Sequence, residues 1–172
     1  MNYQNEYNFM ACVISTLPFL FFIYVIINII ILRGYSILYI IGFIFTGIST
    51  EILKKTPYEK LFNLQKYNNL CYRPKGAHDC DFLSTNGLEK DNIRAMPSSH
   101  MAITAYFVAI NILFLLKYDN IPLKTVGIMA NLILLISMAW ARTYKLCHNK
   151  YQVIFGSIYG SIVGGLFYNV LC

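Results

Sequence analysis

From Phe9 to Leu32 the chain carries not one charged side chain, and four later stretches are nearly as apolar. A helix rises 1.5 Å per residue, so about 20 apolar residues cross about 30 Å of hydrocarbon. The further stretches run from Tyr35 to Ile52, from just after Pro97 to Leu116, from about Ile121 to Ala141, and from Val153 to Leu171. The first is longer than the apolar core of a signal peptide, and no small-residue cleavage site follows before Arg33-Gly34. The expectation is therefore an all-α, polytopic transmembrane helical bundle of about five spans, forming a single membrane-embedded domain over residues 1–172. Only 13% of the residues are charged, about half the share in soluble domains. That shortage excludes an ordinary soluble domain and any disordered or fibrous class.

The connections are unequal. Arg33-Gly34 is a tight turn and Lys117 to Lys124 a short polar loop, whereas residues 54–100 form a polar segment and residues 141–152 a smaller basic one. Five alternating spans bring both of these, with the N-terminus, to one face. That face holds most of the cations and would by charge alone be cytosolic. Cations that bind substrate are no topology signal, so charge does not settle sidedness. The net charge of +6 points to anionic partners, which for a membrane protein means lipid headgroups or phosphate substrates rather than nucleic acid. In the last span Gly156, Gly160 and Gly164 recur every four residues, a stripe that lets another helix approach closely.

Three polar segments stand at the membrane edge. In the first, Lys66 and Arg73 lie about two helical turns apart on one side, and Pro74 ends the element; alone, it reads as a basic helix touching headgroups. The second, Met96-Pro97-Ser98-Ser99-His100, opens an apolar helix. Proline suits a first turn, and the free amides there with the Ser98 hydroxyl make an anion site; the plainer alternative is a serine cap beside a passive histidine. The third runs from Ala141 and Arg142 to His148 and Gln152. If the last helix starts near His148, Gln152 lies one turn on, and its side-chain oxygen accepts from His148 Nδ1, leaving Nε2 free as a nucleophile. Brought to one face, the three segments supply cations, two histidines and a helix N-terminus, the parts needed for phosphoryl transfer through a phosphohistidine. Cys71, His78 and Cys80, with or without Cys147, match no common zinc spacing and read as unpaired loop residues; no metal or other cofactor is expected. Five cysteines do not read as a disulfide scaffold, and the redox compartment stays open.

The ordered pattern K-x6-R-P, P-S-x-H and R-x5-H, here Lys66/Arg73-Pro74, Pro97-Ser98-Ser99-His100 and Arg142/His148, resembles the signature of the type 2 phosphatidic acid phosphatase and vanadium haloperoxidase superfamily. The resemblance spans about Lys66 to Gly165. Ser99 stands where that superfamily usually has glycine, and Gln152 where it usually has aspartate. Both features look like the dolichyl diphosphatase branch. Ala141 departs from the usual serine. The resemblance implies that His148 attacks phosphorus, His100 protonates the leaving phosphate, and Gln152 orients His148. Lys66, Arg73, Arg142, Ser98 and the amide of Ser99 would hold the phosphate oxygens, without a metal. It further implies removal of the terminal phosphate of dolichyl (polyprenyl) diphosphate in lipid-carrier recycling for protein glycosylation. The implied location is the endoplasmic reticulum membrane, with the site facing the lumen. A phosphatidate or other lipid phosphate phosphatase, and a lipid-binding scaffold without strong catalysis, are the alternatives. Partners beyond the lipid substrate and membrane lipids, and the oligomeric state, are not read from these residues.

Overall fold

The computed structural model describes residues 10–11, 13–16, 36–56, 68–77, 80, 94–117 and 119–171. These form five helices: α1 (Ser36–Lys55), α2 (Asn68–Cys71), α3 (Ser99–Leu116), α4 (Ile121–Tyr144) and α5 (Lys150–Leu171). Among the described residues there is no strand, only an isolated antiparallel bridge between Tyr72 and Arg94. The all-α reading holds. Among the described residues three helices, α3, α4 and α5, are long and apolar enough to cross a membrane. The second expected span coincides with α1, a helix of 20 residues that ends in charged residues and is not one of those three. Most of the first expected span lies outside the described residues.

The helix boundaries follow local chemistry. Asn120 caps α4, its side chain accepting from Leu123 N–H at 3.0 Å, and Pro122 falls in the first turn, where a missing N–H costs nothing. The helix runs three residues past the expected Ala141, so Arg142 sits inside its last turn. Leu146 then takes a left-handed conformation with φ 54° and turns the chain toward α5. Pro97 precedes α3 rather than occupying its first turn, because the helix begins at Ser99 with Ser98 as the flanking residue.

The central seam is α3 against α5, and the glycine stripe is its cause. A Cβ on Gly160 would overlap the Ala102 carbonyl, and one on Gly156 or Gly164 would come within 2.7 Å of the Ser98 or Tyr106 carbonyl oxygen. Only glycine permits that approach, and close backbone packing is what holds helices together where lipid removes the hydrophobic drive. Tyr106, Phe107, Ile110, Val163 and Tyr168 fill the space beside the seam. Tyr39 of α1 packs there and donates to Asn111 Oδ1 at 3.1 Å. Asn111 in turn donates to Asn131 of α4 at 3.3 Å, so one polar chain links α1, α3 and α4 at mid-bundle.

Candidate active site

At the end of the bundle where α1 and α4 finish and α3 and α5 begin, the structure gathers pieces of all three motif segments. Ser98 N–H donates to the Gln152 carbonyl at 3.2 Å, which joins the second segment directly to the third. Ala95 N–H donates to the Cys71 carbonyl at 2.8 Å beside the Tyr72–Arg94 bridge, which joins the first to the second. Arg94 Nη1 also donates to the Lys55 carbonyl at 3.0 Å, tying in the end of α1. The His148 N–H donates to the Arg142 carbonyl at 3.2 Å, closing the turn between α4 and α5.

The groups so assembled are buried. Arg142 is 1% exposed, His148 3% and Ser98 0%, while His100 is half-buried. Nε and Nη1 of both Arg73 and Arg142 are buried as well. Ser98 occupies the cap position of α3 but makes no capping bond. Among the described residues its hydroxyl and His148 Nδ1 have no hydrogen-bond partner, although buried polar atoms ordinarily do. Burial, reinforced by the charges of Arg142, Lys54, His100 and Arg73, holds the His148 imidazole well below the ordinary histidine range, so it is neutral at pH 7. Amides at the start of α3, a hydroxyl and arginine forks make a donor set suited to a tetrahedral oxyanion.

Two expectations change. Gln152 does not serve His148. Its Oε1 accepts from Asn149 N–H at 3.1 Å while Asn149 Oδ1 accepts from Gln152 N–H at 2.9 Å, a reciprocal capping box. The helix starts at Lys150 with Asn149 as its cap, and the Gln152 side chain turns back to that cap. Its Nε2 donates to the carbonyls of Leu70 at 2.9 Å and Tyr72 at 2.8 Å. Gln152 therefore clamps the segment that delivers Arg73. The cysteines are the second change: Cys80 and Cys147 form a disulfide, which removes both thiolates from any zinc site, and Cys71 is buried. Among the described residues no three His, Cys, Asp or Glu side chains gather as for a metal; His78 lies outside them. The Cys80 carbonyl accepts from Arg142 Nη2 at 2.9 Å, so the staple and the anchor of Arg142 are one unit.

Lys66 also lies outside the described residues. The structure brings the other motif residues together, and Ser99 spends its hydroxyl on Glu51, at 2.8 Å. Residues not anticipated from the sequence are Glu51, Lys54, Asn149 and the cystine. The Asn149-x-x-Gln152 capping pattern was readable as a helix start; the 67-residue separation of the cysteines carried no local signal.

This is a helical bundle of membrane type with a buried, cation-rich cluster at one end. The model of the PAP2 superfamily matches residues 35–171, and the chain belongs to that superfamily of phosphatase-type membrane proteins. No curated protein and no solved structure matches the chain.

Proposed function

We propose that this protein is a lipid-diphosphate phosphatase that acts on dolichyl (polyprenyl) diphosphate through a phosphohistidine. The observation that carries the reading is Ser98: a fully buried cap-position hydroxyl that makes no capping bond among the described residues, two residues from His100 and joined through its N–H to the carbonyl of Gln152. A passive serine cap would spend that hydroxyl on the helix. In the proposed reaction His148 Nε2 attacks the terminal phosphorus. The N–P bond forms as the P–O bond to the lipid monophosphate breaks, and His100 gives the leaving oxygen its proton. Water then displaces the histidine and releases orthophosphate. Arg73 and Arg142, with Lys66, Ser98 and the α3 amides, hold the non-bridging oxygens; losing one such donor costs about 2.7–4 kcal/mol in other enzymes. Ser99 and Gln152, which resemble the dolichyl diphosphatase branch, support the diphosphate over phosphatidate.

The disulfide supports a lumenal site. Disulfides persist in the endoplasmic reticulum lumen and outside cells, not in a reducing cytosol, and Cys147 adjoins His148. Some of the cations that make this face look cytosolic are withdrawn from it: Arg142 and Lys145 are buried, and Lys54 is paired with Glu51.

The test is phosphate release by the detergent-purified protein in EDTA, from dolichyl diphosphate and phosphatidate in parallel, with His148→Ala as control. Release mainly from the diphosphate, lost in the variant, supports the reading. Preference for phosphatidate overturns the substrate, and release that survives His148→Ala overturns the mechanism. The pH profile adds a second check. The nucleophile must be neutral, and His148 is held below its ordinary value. The acid limb of kcat/KM therefore falls below about pH 6.5, the ordinary histidine value.

A further inference from the structure

The C-terminal end of α1 reaches the site with Glu51 and Lys54, neither of which belongs to the three motif segments that hold the terminal phosphate. One carboxylate oxygen of Glu51 accepts from both Lys54 Nζ, at 2.6 Å, and Ser99 Oγ, at 2.8 Å. The shared oxygen holds the ammonium against the first residue of α3, next to Ser98 and His100. The cation is the inward member of its pair: the Lys54 side chain is 16% exposed and that of Glu51 59%. Its backbone is braced too, since Arg94 bonds the next carbonyl, that of Lys55, at 3.0 Å. Lys54 also ranks among the charges that act on His148.

One phosphoryl group is already served by two arginines, the Ser98 hydroxyl and the α3 amides. A diphosphate brings a second phosphate, and that phosphate is the leaving group. It carries the negative charge that develops on the bridging oxygen, where a monoester would release a neutral alcohol after protonation. A cation on the His100 side meets that charge. We infer that Lys54, anchored through Glu51 to Ser99, binds the second, lipid-proximal phosphate and makes the site selective for diphosphates. The inference rests on the diphosphate reading above and deepens it. Without a hydroxyl at position 99 Glu51 would lose one of its two partners here, and Lys54 its tie to α3.

Binding of methylenediphosphonate and of orthophosphate to the purified full-length protein, by titration calorimetry, tests this without turnover. The wild type should bind the diphosphonate more tightly than orthophosphate. Lys54→Gln should weaken the diphosphonate about tenfold more than orthophosphate, Lys54→Arg should restore most of the difference, and Ser99→Gly should move it the same way by less. Retained orthophosphate binding reports that each variant is folded. Equal weakening of both ligands, or of neither, overturns the role of Lys54 while leaving the diphosphatase reading intact. A wild type that turns over phosphatidate in preference to dolichyl diphosphate overturns both.

Discussion

Helices α3 and α4 are both apolar enough to span a membrane, yet they live in different surroundings. Of their most apolar windows, 44% of residues are buried in α3 and 6% in α4. Helix α3 is gripped along its length by the glycine face of α5 and by aromatic side chains of α1. Helix α4 presents Ile121, Val126, Ile133 and Ile136 outward. It is fastened at Asn131 and at its C-terminal end, where Met138, Ala141 and Arg142 are buried. The same kind of composition thus serves two purposes. In α3 it builds the seam that sets His100 relative to α5, and in α4 it carries one arginine to the site and leaves an apolar face exposed.

Substitution at the seam should have the largest effect. Gly160→Val puts methyl groups into the Ala102 carbonyl and should cost more than about 3 kcal/mol, the upper end for overpacking. Thermal unfolding in detergent and loss of phosphate release would show it; tolerance would break the seam-and-periphery contrast. The staple at the end of α4 comes next. Replacing both Cys80 and Cys147 by serine, or reducing them, opens a long loop and should cost about 3 kcal/mol. Turnover should fall further than stability alone explains, because the carbonyl that anchors Arg142 is released. Unchanged activity under reductant would show that α4 holds its arginine unaided.

Smaller effects sharpen the picture. Gln152→Ala leaves the Leu70 and Tyr72 carbonyls and the Asn149 amide short of partners and should cost about 2 kcal/mol. Its pH profile should keep the acid limb in place, since Gln152 does not touch His148 Nδ1; a shifted limb would restore the orienting role. The smallest change is Ile133→Ala on the outward face of α4, which should stay within about 0.5 kcal/mol. Acid should weaken the whole fold modestly. Between the ordinary histidine value and the lower one of buried His148, the unfolded chain binds more protons, so stability falls as pH drops through that window.

Much of the fold was legible because membrane spans advertise themselves by length and lack of charge, and α3 and α5 begin within three residues of where those runs place them. The glycine stripe correctly announced close packing, though not its partner. The motif residues were legible as a set because topology sends both polar segments to one face. The role of Gln152 was not legible: spacing placed it one turn from His148, but a side-chain amide chooses among partners that only the packed loops supply.

The sequence by itself determined the apolar helices and the order of the motif segments, since these rest on residue type and local spacing. The tertiary structure decided which groups meet. It joined Cys80 to Cys147, set Lys54 against Ser99 through Glu51, and turned Gln152 toward Leu70 and Tyr72. These contacts link residues far apart in the chain, and their formation depends on how closely α3 and α5 approach, a distance no local pattern encodes.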